Sequence, residues 1–165
     1  MSFPAIILPD LFLHSIFDVT SELLAKFGVE ALILDVDNTL RVLGSKFPVD
    51  GVLSWVGSMR AAGIKLIIAS NNFKKKVEPF AKQLGLDYVF FSCKPLSFGL
   101  NKAAKKLNVK KEKIAVIGDQ IFTDVFGGNL RGFKTFLVEP FLKERSFGFK
   151  FKRWLEQKII RSYRR

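Results

Sequence analysis

The fold of this chain is best predicted from the segment Leu32-Ile33-Leu34-Asp35-Val36-Asp37-Asn38-Thr39-Leu40. Its first residues are apolar and predict a buried strand, and two carboxylates spaced i, i+2 follow at the end of that strand. Residues i and i+2 of a strand point to the same side, so the carboxylates of Asp35 and Asp37 are expected to converge. Two like charges this close cost stability unless a cation is shared, which indicates a site for chemistry. The plainer alternative is a solvated turn after a strand, because Asp-x-Asp alone is common by chance.

Three later apolar runs, which also predict strands, are each followed by polar residues. Ser70-Asn71-Asn72 follows the run 64–69, Cys93-Lys94-Pro95 follows the run 86–91, and Gly118-Asp119-Gln120 with Asp124 follows the run 113–117. The carboxyl ends of parallel strands meet at the crevice where open α/β sheets bind ligands. These polar groups are therefore expected to lie beside the carboxylates of the first stretch.

The order of strands and helical segments predicts the fold class. A fifth strand is expected at 133–138, and strands alternating with helices imply right-handed crossovers. The prediction is an α/β, Rossmann-like fold with a five-stranded parallel sheet and helices on both faces. Residues 1–165 are expected to form a single domain, since no linker or repeat interrupts them.

Apolar spacing and stop signals place the helices. Residues 1–28 are predicted to form a helical extension, with a helix over 10–27 that breaks near Asp18 and ends at Gly28. Further helices are expected from Pro48, from Lys74 to Leu84, over 96–107 with Ser97 as its cap, and in a short segment ending at Gly127-Gly128.

The chain is strongly basic, with a net charge of +12 and a pI near 10.0. Such a charge favours an anionic partner, which could be nucleic acid, an anionic membrane or small phosphates. Nine basic and two acidic residues between positions 141 and 165 give this C-terminal tail a net charge of +7. We predict an interfacial amphipathic helix in the tail, with packing of its apolar face on the domain as the alternative. That face comprises Phe151, Trp154, Leu155 and Ile159.

Composition also indicates the cellular compartment of the protein. No apolar run reaches the ~18–20 residues that span a bilayer. No basic residue precedes Lys26, so no secretory or transit signal is expected. Cys93 is the sole cysteine, which excludes an intramolecular disulfide and a cysteine-based metal site. We expect a cytoplasmic protein (or one of an organellar matrix or stroma) that contacts the membrane peripherally.

The four polar groups, taken in order, resemble the motif set of the haloacid dehalogenase (HAD) phosphohydrolases. Additional stretches are similar to the YqeG-type branch of HAD subfamily IIIA, over essentially the whole chain; they are Leu8-Pro9-Asp10, Ser15-Ile16-Phe17-Asp18 and Gly118 to Val125 with Gly127-Gly128-Asn129. HAD enzymes usually carry an inserted cap domain. Pro48 lies only eleven positions after Asp37, and Lys94 lies twenty-four positions after Ser70, so no cap is expected.

The resemblance implies a Mg²⁺-dependent phosphatase that works through an aspartyl-phosphate. By this resemblance Asp35 is the nucleophile and Asp37 the general acid/base, while Ser70, Asn71 and Lys94 bind the substrate phosphate. The implied metal ligands are the Asp35 side chain, the Asp37 backbone carbonyl, Asp119 and Asp124. Each residue also has a plainer interpretation: turn formers for Ser70 and Asn71, a surface lysine for Lys94, a strand-end turn for Asp119 and a helix cap for Asp124.

The resemblance also suggests a substrate. The nearest relatives with an assigned role convert phosphatidylglycerophosphate to phosphatidylglycerol, which implies a phospholipid head group as substrate and an anionic membrane as partner. One alternative is a polynucleotide, nucleotide or small-metabolite phosphatase of the same subfamily, although the clustering of basic residues in the tail argues against a stable nucleic-acid complex. The other alternative is a non-catalytic phosphate-binding module, which would not need Asp37. The sequence leaves the oligomeric state open.

Overall fold

Six parallel strands form one sheet in this computed structural model, which describes residues 4–96, 98–142 and 154–161. The strands are β1 (Leu11–Leu13), β2 (Ala31–Leu34), β3 (Lys65–Ala69), β4 (Asp87–Val89), β5 (Ile114–Gly118) and β6 (Lys134–Val138). Their order across the sheet is β1-β6-β5-β2-β3-β4. The α/β class and the parallel sheet are confirmed, and the predicted strand count of five is corrected to six.

The additional strand arises where a helix was predicted. Residues 11–13 pair in parallel with β6, and only Ser21–Lys26 of the predicted helix 10–27 is α-helical. Asp10 fixes the pairing, because its backbone N–H donates to the Thr135 carbonyl and its carboxylate accepts the Thr135 N–H, both at 2.8 Å. Ser15 and Asp18 then form a capping box around a 3₁₀ turn, which separates the strand from the helix.

Helices cover both faces of the sheet. They are α1 (Ser21–Lys26), α2 (Val52–Ala61), α3 (Lys74–Leu84), α4 (Phe98–Leu107), α5 (Phe126–Asn129) and α6 (residues 154–161). The predicted bounds of α3 are confirmed. Helix α2 begins four residues later than predicted, because Gly51 precedes it with a left-handed φ of 91°. The predicted cap Ser97 lies outside the described residues.

Alternation along β2 divides the core between the two faces. Leu32 and Leu34 pack on the side of α2 and α3, in a cluster that includes Trp55 and Phe80. Ala31 and Ile33 pack on the side of α4. The whole strand is buried, as expected of a parallel strand covered on both sides. This burial holds the end of β2 rigidly at the edge of the sheet where Asp35 follows.

Helix α6 packs on the domain through part of its predicted apolar face. Ile159 is buried in a cluster with Ile121, Val125 and Leu137, Leu155 is half-buried, and Trp154 is exposed. Phe151 lies outside the described residues. Packing therefore accounts for Ile159, and membrane recruitment by the tail stays a prediction. Within the described ranges, no helix combines the length and the apolar character that crossing a bilayer requires.

Candidate active site

The polar motifs meet at the carboxyl ends of the central strands. Asp35 directly follows β2, Ser70 follows β3 and Asp119 follows β5. Strand β2 lies between β5 and β3, so the three residues leave adjacent strands at the same edge of the sheet. Lys94 reaches this edge from the loop that follows β4. The convergence predicted from the sequence is thus present in the structure.

Three of the predicted metal ligands form one carboxylate cluster. Asp35, Asp119 and Asp124 each offer an oxygen, and these oxygens lie within 4.8 Å of one another. Asp119 and Asp124 are each only 2% exposed. A buried set of carboxylate oxygens is the hard donor set that Mg²⁺ prefers, so these residues fit the implied metal. Coordination by the Asp37 carbonyl stays a prediction.

Lys94 supplies the positive charge within the cluster. Its Nζ donates to Asp35 Oδ1 at 2.6 Å and to Asp124 Oδ1 at 2.5 Å, and the residue is 6% exposed. Lys94 is therefore not a surface lysine. Burial lowers its pKa, but the carboxylates of Asp124 and Asp35 outweigh burial and hold the pKa above its usual value. The ammonium group thus stays charged and is placed to neutralise anions at this edge of the sheet.

Opposing influences act on the pKa of Asp35. Burial raises the pKa of its carboxyl to about 7, the charge of Lys94 opposes that rise, and Asp124 adds to it. Since only the ionised carboxylate can attack phosphorus or hold a cation, Lys94 and any bound metal favour the reactive form.

Asp37 is held by two side chains that the sequence analysis did not assign. Arg41 Nε donates to Asp37 Oδ1 at 2.9 Å, and Asn72 Nδ2 donates to Oδ2 at 2.6 Å. The Arg41 guanidinium also lies over the Phe80 ring, 5.0 Å from its centroid. Arg41 could have been suspected from its i, i+4 spacing to Asp37, and Asn72 from its place in the Ser70-Asn71-Asn72 motif. Both fix the orientation of the Asp37 carboxylate.

Ser70 and Asn71, the first two of the three polar residues after β3, have different surroundings. Ser70 is 2% exposed, and its hydroxyl accepts a hydrogen bond from the Asn72 N–H at 3.2 Å. The Asn71 side chain bonds to the Lys94 loop, where its oxygen accepts from the Lys94 N–H at 2.8 Å and its amide donates to the Lys94 carbonyl at 3.1 Å. Asn71 therefore positions Lys94 in this structure. Phosphate binding by Ser70 and Asn71 stays a prediction.

The Asp124 carboxylate packs directly against the backbone of Gly118. A Cβ at position 118 would overlap the Asp124 carboxylate. We expect Gly118→Ala to displace Asp124 and to lower both the affinity for Mg²⁺ and the turnover of an aryl phosphate about 10–100-fold. Calorimetric titration with Mg²⁺ and a steady-state assay measure these effects. Gly57→Ala is the control, because a Cβ at that helical position meets nothing within 4 Å; equal behaviour of the two variants would contradict the prediction.

The segment that carries Asp124 is capped from the C-terminal helix. Ile121–Val125 forms a π-helical turn before α5, and the buried carboxylate of Glu156 accepts the Ile121 N–H at 2.9 Å. A carboxylate at a helix N-terminus satisfies an otherwise unpaired donor and complements the helix dipole. Sequence analysis could not find this contact, because its partners are 35 positions apart.

Loss of the Glu156 cap is expected to cost stability. We expect Glu156→Ala to lower the free energy of unfolding by about 1–3 kcal/mol, because the buried Ile121 N–H loses its acceptor. Glu156→Gln keeps an acceptor oxygen and is expected to recover part of that loss. Urea denaturation of the two variants measures the difference. An alanine variant as stable as the wild-type protein would show that this bond contributes nothing.

Comparison with known proteins identifies the family. A family model described as haloacid dehalogenase-like hydrolase matches residues 7–130, which include every motif of the site. The chain belongs to the haloacid dehalogenase-like hydrolases. It is also 37% identical to the probable phosphatase YqeG of Bacillus subtilis (strain 168) over 158 residues, or 96% of this chain and 92% of that protein. The resemblance to YqeG-type HAD phosphatases is thereby confirmed, and this chain is an HAD phosphatase.

Solved structures agree with the HAD fold. An HAD family hydrolase from Deinococcus radiodurans, with bound phosphate and sodium, matches with a TM-score of 0.59 and 15% identity, over 77% of this chain and 88% of that chain. The cobalt-bound deoxy-D-mannose-octulosonate 8-phosphate phosphatase of Haemophilus influenzae matches with a TM-score of 0.53 and 16% identity. The match covers 76% of this chain and 75% of that chain. At such identities these structures show the fold alone.

Proposed function

We propose that this HAD phosphatase is Mg²⁺-dependent and acts through an aspartyl-phosphate on Asp35. The observation that carries the proposal is the buried cluster in which Lys94 bridges Asp35 and Asp124 beside Asp119. A phosphate monoester is anionic, and a carboxylate approaching it is repelled by ~4 kcal/mol per charge pair at 4 Å and an effective dielectric near 20. The cluster supplies Asp35 as the nucleophile together with the Lys94 ammonium group, and its carboxylates would hold a metal ion that offsets the rest of this repulsion.

In the first half-reaction, an oxygen of Asp35 attacks phosphorus and the bond from phosphorus to the leaving oxygen breaks. A proton from the Asp37 carboxyl passes to the leaving oxygen, so that an alcohol departs. Lys94 and the Ser70 hydroxyl neutralise and orient the phosphoryl oxygens. The products of this step are the free alcohol and the acyl phosphate on Asp35.

In the second half-reaction, water attacks the phosphorus of the acyl phosphate while the Asp37 carboxylate takes its proton. The bond between phosphorus and Asp35 breaks, which releases inorganic phosphate and regenerates both carboxyl groups. Arg41 and Asn72 keep the Asp37 carboxyl group oriented during this transfer. Mg²⁺ held by Asp35, Asp119 and Asp124 would neutralise the charge between nucleophile and phosphate.

We further propose that the substrate is phosphatidylglycerophosphate, which would be converted to phosphatidylglycerol. Neither the loop between β2 and α2 nor the segment between β3 and Lys94 contains a cap domain, so a phosphate on a large assembly can reach the site. The net charge of +12 favours an anionic surface. The same charge also suits a polynucleotide or nucleotide, which makes that the second candidate substrate.

Parallel assays of phosphate release test the substrate. The arms are phosphatidylglycerophosphate in vesicles, a 5′-phosphorylated oligonucleotide, a soluble sugar phosphate and an aryl phosphate, each with EDTA or Mg²⁺. We expect the highest kcat/KM on the lipid and no turnover in EDTA. Preference for the oligonucleotide or the sugar phosphate would exclude the lipid, and full activity in EDTA would exclude the metal. Absence of turnover on all four would favour a non-catalytic phosphate-binding module.

A further inference from the structure

Exposed apolar side chains are concentrated around the active site. Of the thirteen large apolar residues exposed among those that the structure describes, seven lie between the carboxyl ends of β2, β3 and β4 and the first residue of the helix that follows each strand. These residues, here called the apolar rim, are Leu43, Phe47, Phe73, Phe90, Phe91, Leu96 and Phe98. Phe98 is 78% exposed, and Leu96 and Phe73 are 63% and 62% exposed. An apolar concentration at one edge marks a binding surface better than scattered exposed residues do.

The apolar rim adjoins the active site along the chain and through a backbone hydrogen bond. Phe73 follows Asn72, whose side chain holds Asp37, and the Phe91 N–H donates to the Asn72 carbonyl at 2.8 Å. The rings of Phe73 and Phe91 stack with their centroids 5.7 Å apart. Leu96 lies two residues after Lys94. A surface that contacted the rim would therefore lie directly against the opening of the site.

Three consecutive lysines border the rim. Lys74, Lys75 and Lys76 are exposed and form the first turn of α3, directly after Phe73. Positive charges at a helix N-terminus oppose the helix dipole, so these lysines lower the stability of α3. Helix stability therefore does not explain their position. Exposed aromatic residues beside lysines are the composition of proteins that bind anionic bilayer surfaces.

We propose that the apolar rim and Lys74–Lys76 dock on an anionic lipid bilayer, so that the active site faces the lipid head groups. The inference deepens the proposed lipid substrate and rests on it, but it assigns recruitment to the catalytic edge and not to the C-terminal tail. A bilayer fits better than a second copy of this chain, because a symmetric dimer through the rim would bring the two lysine clusters close together. Anionic head groups complement those charges.

Vesicle binding by matched variants tests the rim. The variants are Phe98→Ser and the triple replacement of Lys74, Lys75 and Lys76 by Gln. Their controls are Leu130→Ser and the triple replacement of Lys105, Lys110 and Lys111 by Gln, which remove an exposed apolar side chain and three exposed lysines away from the rim. Co-sedimentation is measured with vesicles of phosphatidylcholine alone and with 30% phosphatidylglycerol (roughly a bacterial-type anionic fraction).

We expect the wild-type protein to bind only the anionic vesicles, and the rim lysine triple to lose about hundredfold in affinity. Phe98→Ser is expected to lose affinity, whereas both controls bind as the wild type does. Turnover of a soluble aryl phosphate, expected to be unchanged in all variants, confirms that each is folded. The proposal is overturned if the wild-type protein binds no vesicles, if rim and control variants bind alike, or if the rim variants change the oligomeric state and not vesicle binding. Vesicle binding through the rim without hydrolysis of phosphatidylglycerophosphate would reject the lipid substrate alone.

Discussion

Asp35→Asn is expected to lower the turnover of an aryl phosphate by a factor of about 10⁴ or more, which is the order of loss when a covalent nucleophile is removed. Asparagine keeps the shape of the side chain but cannot form the acyl phosphate. Lys94 retains its bond to Asp124, so the loop that carries Lys94 should keep its position. The loss should therefore appear in kcat and not in the fold.

Stopped assays of phosphate release and far-UV circular dichroism measure the two parts of this prediction. Asp50→Asn is the control, because Asp50 is an exposed carboxylate on the loop between β2 and α2. Incubation of the wild-type protein with substrate, acid quench and mass analysis should also detect a phosphorylated form that the Asp35 variant lacks. Turnover within tenfold of wild type in Asp35→Asn would refute covalent catalysis at this residue.

The sequence predicted the central part of the fold because the signals there are local. Runs such as 31–34 are apolar at every position, and a parallel strand buried on both faces requires that composition. The end of α3 was predicted because glycine commonly terminates helices. Gly85 adopts the left-handed conformation of such a terminator, with a φ of 62°. Sequence order then placed the motifs at the ends of adjacent strands.

The N-terminal strand could not be predicted in the same way. Residues 11–13 are three apolar residues between polar ones, and such a run fits a helix as well as a strand. Their conformation depends on β6, and the bonds between Asp10 and Thr135 connect residues 125 positions apart. A short edge strand of this kind is decided by its partner and not by its own sequence.

Several contacts of the site were also beyond sequence analysis, although the candidate catalytic residues were named from the motifs. The sequence gives Arg41 and Asn72 no assignment until the fold brings them to Asp37. The Glu156 cap on Ile121 depends on how the C-terminal helix packs. Motifs identify the groups that are expected to contact the substrate. Which residues position those groups depends on tertiary packing.

Replacement of Lys94 is the second change expected to have a large effect, on both stability and turnover. Lys94→Met leaves the half-buried carboxylate of Asp35 and the buried carboxylate of Asp124 without their cation. Breaking a buried ion pair costs about 3–5 kcal/mol. We expect this loss in the free energy of unfolding without metal, together with loss of turnover. Mg²⁺ should restore part of the stability, because it replaces the missing positive charge and binds only the folded protein. Lys102→Met, at an exposed position, is the control.

The loss of stability in Lys94→Met should depend on pH in a defined direction. Burial raises the pKa of Asp35 to about 7, so folding favours its protonated form, and the stability associated with that proton is lost as pH rises from about 4 through 7. Lys94 lowers the pKa of Asp35, so removal of Lys94 raises that pKa further. The loss of stability then extends to higher pH. Urea denaturation in EDTA should therefore show a larger difference between variant and wild type at pH 8 than at pH 5. A difference that is equal at the two values, or larger at pH 5, would mean that Lys94 does not hold the Asp35 carboxylate in its ionised, nucleophilic form.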